Sequence, residues 1–141
     1  MNIPRLVAAV VAVYIVMFVL AILFFDMLFG AQFAAYKDLM GGEAAEQNIW
    51  PYLGYLVQAI MVAVLFVKGH EGKGVGEGIR FGVLVGLLLG AVDFTWGAHL
   101  AAIPMGTAAL AGLLTFVMWV AAGIVLALVY KPAEENGGDG S

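Results

Sequence analysis

The chain has 141 residues, of which 64% are hydrophobic and only 11% charged, with no cysteine and a formal net charge of −4. A soluble domain would be about a quarter charged, so this composition, with a mean hydropathy of +1.03, points to a bilayer as solvent. The acidic balance gives no footprint for a nucleic-acid partner, and the missing cysteine excludes a disulfide framework, a thiol nucleophile and an iron–sulfur site.

Four apolar runs, at about 6–29, 51–67, 79–99 and 105–130, come close to or exceed the roughly 20 residues a helix needs to cross a bilayer. They are continuous rather than alternating, which argues against a β-barrel. The predicted fold class is all-α: an integral-membrane antiparallel four-helix bundle over residues 1–132, readable as two related helical hairpins.

The first run follows Arg5 as a signal peptide would follow its basic region, but it exceeds the 7–15 residues of a typical signal core, so a retained helix is expected. It ends in Asp26-Met27-Leu28-Phe29-Gly30-Ala31-Gln32-Phe33. A polar loop from about 34 to 50 carries Asp38, Glu43 and Glu46 and closes at Trp50-Pro51-Tyr52. Proline there suits the first turn of a helix, and the aromatics suit a membrane–water interface. The second run is the shortest and carries Gln58 two turns in, either as an interhelical hydrogen bonder or as part of a pocket.

The next loop, 68–77, is rich in glycine and looks phosphate-friendly. It follows no strand, and Gly72-Lys73 lacks the Ser or Thr that would complete a phosphate loop, so a flexible hairpin turn is the better reading. In the third run Gly74, Gly78, Gly82, Gly86 and Gly90 recur at every fourth position. At 100° per residue Gly82, Gly86, Gly90, Asp93 and Gly97 fall within an arc of about 80°. Small residues four apart allow close approach of membrane helices, so Asp93 is expected on a packed, buried face. This run ends in Asp93-Phe94-Thr95-Trp96-Gly97-Ala98-His99-Leu100, which repeats the Asp, Gly and Ala of the first phrase at the same offsets.

The fourth run follows a short turn ending near Pro104. Its Trp119, flanked at helical spacing by Thr115, Gly112 and Gly123, reads as packing. Past Lys131-Pro132 the segment 133–141 is acidic and glycine-rich, the composition of a disordered tail. Five of the six Lys and Arg residues fall on one side if the chain crosses four times, which places both termini in the cytoplasm.

A carboxylate within a bilayer costs about 2.5–3.5 kcal/mol on insertion scales and is a functional hypothesis by default. Asp93 lies about 20 Å from Arg80 along the helix, in the outer part of the core, as a proton- or cation-exchanging group or as a carboxyl hydrogen-bonded across the bundle. Asp26 lies nearer the outer boundary, where it can simply reach water. No Lys or Arg is expected inside the outer half to pair with either. The working expectation is that Asp93, Gln58, Asp26 and Trp96 converge in an outward-facing polar pocket.

His99 points nearly opposite to Asp93, and His70-Glu71 lacks the second histidine of a helical zinc motif. No metal, cofactor or enzymatic activity is therefore expected.

The first phrase, together with the stretch from Lys68 to Gly82, resembles a set of small bacterial inner-membrane proteins with four helices, catalogued as domains of unknown function. The resemblance implies a four-helix fold in a bacterial inner membrane and imports no activity. Small multidrug transporters, with a central Glu in the first helix, fit less well, because this chain has no acid there before Asp26. Two functional classes follow. One binds or transports a proton, cation or small amphipathic ligand in the pocket. The other is a structural or assembly subunit, in which Gly78, Gly82, Gly86, Gly90 and Gly97 pack a homo-oligomer or a membrane-protein partner in the lipid bilayer.

Overall fold

The computed structural model describes residues 2–39, 41 and 49–130. The acidic stretch with Glu43 and Glu46, and the segment 133–141, lie outside the described residues. Helix α1 spans Ile3–Ala21 and runs on as a π-helical segment, Ile22–Leu28; α2 is Ala34–Leu39, α3 Trp50–Lys68, α4 Val75–His99 and α5 Met105–Val129. The described residues contain no strand. Among them four helices, the first taken together with its π segment, are long and apolar enough to cross a membrane, with mean hydropathies from 1.7 to 3.1.

Local chemistry sets the helix ends. The Asn2 side chain accepts the Arg5 N–H at 3.2 Å, and Pro4 occupies the first turn of α1, a pairing that satisfies one exposed donor where a missing N–H costs nothing. At the other end the Phe29 N–H reaches back five residues to the Phe24 carbonyl at 3.0 Å, the wide winding of a π turn. Helix α4 starts at Val75, earlier than the apolar run implies. Glu77 in its first turn accepts the backbone N–H groups of Glu71 at 2.6 Å and Lys73 at 3.0 Å, which ties the preceding turn down. Gly72 (φ +76°) and Gly74 (φ +77°) supply the left-handed backbone this turn requires.

The helices pack in the spatial order α3, α1, α5, α4. Helix α5 lies along the whole of α4 and also holds α1; α1 holds α3, and α3 touches α4 at only a few points. The apolar window of α5 is 50% buried, against 17–22% for the other three spans, so α5 is the central strut. The main core joins Ala9, Val13 and Met17 of α1 to Ala59, Val62, Ala63 and Phe66 of α3 and to Met118, Trp119, Ala122 and Leu126 of α5.

Gly78, Gly82, Gly86, Gly90 and Gly97 are all buried, and all face α5 of the same chain. A Cβ at Gly82 would meet the Trp119 carbonyl oxygen at 2.6 Å, one at Gly86 the Phe116 oxygen at 2.8 Å, and one at Gly90 the Gly112 oxygen at 2.6 Å. At the ends Gly78 opposes Gly123, and Gly97 opposes Ala108 and the Tyr36 hydroxyl. Backbone therefore lies on backbone along the antiparallel α4–α5 seam, the arrangement small residues at every fourth position permit. Of the partners the stripe could have packed against, the structure places α5 of the same chain.

Candidate functional site: the cleft between α3 and α4

Because α3 and α4 hardly meet, the bundle is open along one side, and a cavity of about 360 Å³ lies there in the half nearer α2. Its floor is Met17 of α1 with Thr115, Met118 and Trp119 of α5, all buried. One wall is Pro51, Gly54, Tyr55 and Gln58 of α3, and the other is Leu89, Val92 and Asp93 of α4, with Phe25 of the π segment at one end. At Gly54 the backbone leaves open space, with nothing within 4 Å of where a Cβ would stand.

Among the described residues Asp93 is the only acid on this lining, and no Lys, Arg or His shares it. The Thr115 hydroxyl donates to Asp93 Oδ2 at 2.5 Å across the α4–α5 seam. Asp93 was expected to be buried on the glycine face; the residue is instead exposed on the cleft side. The reason is the missing neighbour: α3 barely touches α4, so the Asp93 side chain, held by Thr115 on one oxygen, borders an open gap instead of being covered.

Of the four residues expected to converge, the cleft gathers Asp93 and Gln58. Asp26 and Trp96 do not line it. Asp26 Oδ1 lies 2.6 Å from Lys37 Nζ, an ion pair with both side chains about half exposed. The expectation that no cation reaches either carboxylate is thereby corrected for Asp26: the short α2 inside the polar loop brings Lys37 back over the end of α1. Trp96 is 65% exposed, on the side of α4 away from the seam. The two copies of the repeated phrase also differ in conformation, since the first lies in and after the π segment and the second is regular α-helix.

Two contributors went unforeseen. Thr115 was named only as a neighbour of Trp119, although a hydroxyl on the glycine-lined face of the fourth run was a signal that it could face a polar group on the third. Tyr55 carried no sequence signal beyond an interfacial aromatic. Thr95, a candidate donor because it neighbours Asp93, instead donates its hydroxyl to the Ala91 carbonyl of its own helix at 2.7 Å.

Above the cleft Tyr36 of α2 stacks near Phe33, with ring centroids 5.8 Å apart. Its hydroxyl is buried against Gly97 and has no hydrogen-bond partner among the described residues. Burial, and then the Asp93 charge, push the Tyr36 phenol above its ordinary value of 10.0.

A second polar cluster occupies the opposite end of the bundle. His70 lies with Nδ1 3.1 Å from Glu77 Oε2, its ring 5.2 Å from Phe66 and edge-on to Tyr130 at 5.7 Å. The Tyr130 hydroxyl in turn accepts the Asn2 N–H at 3.2 Å. These contacts tie the α3–α4 turn to the ends of α1 and α5.

Fold and cleft together define a class: an all-α, multi-pass membrane bundle with one acidic polar cleft opening between two of its helices. Comparison with protein-family models, with curated proteins and with solved structures finds no match for this chain.

Proposed function

We propose that the protein is a membrane binding or transport module whose cleft takes a proton, a cation or a small amphipathic ligand, with Asp93 as the responding group. The observation that carries this reading is the placement of one carboxyl group, held on one oxygen by Thr115, on a cavity it shares with Gln58 and with apolar and aromatic side chains. A carboxyl group kept only for packing would be surrounded; this one faces open space. Positive charge placement supports termini in the cytoplasm and a cleft in the outer half of the membrane, and the resemblance to small four-helix proteins supports a bacterial inner membrane. The assembly reading loses its main surface, because the glycine stripe is filled from within the chain.

The test uses the full chain in lipid nanodiscs. Its unfolding midpoint is measured across pH and against added cations, since a ligand that binds only the folded state raises the midpoint with concentration. The wild type is expected to respond, and Asp93→Asn to remove the response. An equal response in both proteins would refute the reading, and loss of a multimer in Gly86→Leu with a silent Asp93→Asn would favour assembly.

A further inference from the structure

We propose that the cleft takes an organic monocation, one that carries its charge beside an apolar or aromatic body. This rests on the reading of the cleft as a binding site and goes further by naming the ligand class.

Charge sets the sign and the number. The described lining residues include one acid and no base, so a single positive charge balances them, and an anion would meet an uncompensated carboxylate in a low-dielectric site. The Thr115 hydroxyl occupies Asp93 Oδ2, leaving Oδ1 for the ligand.

Shape and wall chemistry separate an organic cation from a metal ion. A hard cation needs about six to eight oxygens closing on it at 2.0–2.6 Å. Here the described lining of a cavity of about 360 Å³ has side-chain oxygens only on Asp93, Thr115, Gln58 and Tyr55, and no three His, Asp or Glu side chains gather among the described residues. That volume is at the low end of small-molecule pockets, which run from about 300 to 1,000 Å³. The aromatic residues Phe25, Tyr55 and Trp119 border it together with two thioethers, Met17 and Met118. Aromatic faces attract a cation within about 6 Å, most strongly where water is excluded, and methionine moulds to an apolar ligand of varied outline.

The route of entry fits the same class. The gap between α3 and α4 faces sideways out of the bundle, where exposed Val57, Met61, Leu84 and Leu88 would lie against lipid. A ligand reaching the cleft by that route has to partition into the bilayer first, which an apolar body allows and a bare inorganic ion does not.

The test compares benzyltrimethylammonium with neopentylbenzene, the neutral compound in which carbon replaces the charged nitrogen. Binding to the full chain in nanodiscs is measured with empty nanodiscs subtracted, and sodium chloride serves as the inorganic probe. Saturable benzyltrimethylammonium binding is expected, with neopentylbenzene weaker by roughly tenfold or more. Asp93→Asn should weaken the cation by a similar factor and leave the neutral compound unchanged. Gly54→Leu, which adds a side chain where nothing stands within 4 Å, should lose both ligands while its unfolding midpoint holds.

Saturable, Asp93-dependent binding of sodium or protons without benzyltrimethylammonium would overturn the ligand class and leave the proposed function standing. Equal binding of the charged and neutral compounds, indifferent to Asp93→Asn, would overturn both. Cation binding that survives Gly54→Leu would remove it from this cleft.

Discussion

Asp93 and Thr115 meet at the edge of the α4–α5 seam, and the hydroxyl they share is the only side chain–side chain hydrogen bond of the cleft among the described residues. Thr115→Val keeps the shape and deletes the donor. It is expected to lower the stability of the folded chain by about 1–2 kcal/mol, in the range of single hydrogen bonds to polar partners in membrane interiors and protein cores, as read by the shift of a denaturation curve in detergent micelles. No shift would mean that the carboxyl group is served elsewhere. Lys37→Met is the contrasting case. Its pair with Asp26 is about half exposed on both sides, so the change should cost less than about 1 kcal/mol and vanish in high salt. Asp93 could be singled out in the sequence because an acid late in an apolar run has few bland explanations. Thr115 carried a weaker signal, because a threonine in a membrane helix can satisfy its own hydroxyl, as Thr95 does on Ala91. Lys37 was hidden for a different reason: only the turn into α2 tells which way its side chain swings.

Among the elements, α4 and α5 are joined by a seam with no spare volume, and the glycines there divide sharply by what stands opposite them. Gly82→Ala and Gly90→Ala drive a methyl group to within 2.6 Å of a carbonyl oxygen; each is expected to cost about 2–3 kcal/mol or to force the helices apart. Gly76→Ala meets nothing within 4 Å and has no left-handed backbone to lose, so it should be neutral or stabilise by up to about 1 kcal/mol. If thermal midpoints failed to separate these two groups, the seam as described would be wrong. At the start of α4 the Glu77 carboxylate holds two amides of the preceding turn. Glu77→Ala should therefore speed hydrogen exchange at Glu71 and Lys73 by about tenfold or more, while amides in the middle of α4 stay protected. The period of the glycines made a close helix contact legible in the sequence. It did not name the partner, because a stripe of small residues is the same whether it meets a helix of its own chain or of another.

For the whole molecule, four helices and their antiparallel course followed from composition and run lengths, since the bilayer fixes the length of anything that spans it. Their lateral order did not. That α5 is central and that α3 stands off from α4 depends on which small residues oppose which carbonyls, and runs of Val, Leu and Ala are too alike to encode it visibly. The natural lack of cysteine allows the order to be checked with paired spin labels. Labels at Met61 and Leu88, both exposed, report the α3–α4 gap, and labels at Leu87 and Leu113 report the α4–α5 pair. The first pair should give a broad distance distribution and the second a narrow one; equal widths would contradict an open side.

The backbone-on-backbone seam also decides where the molecule can yield. An interface of interleaved side chains can shift as rotamers exchange, but carbonyls resting on glycines have nothing to rearrange. The α4–α5 hairpin is therefore the stiff frame, and compliance is left to α3 and the contacts through which α1 carries it. Any change in the width of the cleft is then a displacement of its Tyr55 and Gln58 wall relative to a stationary Asp93.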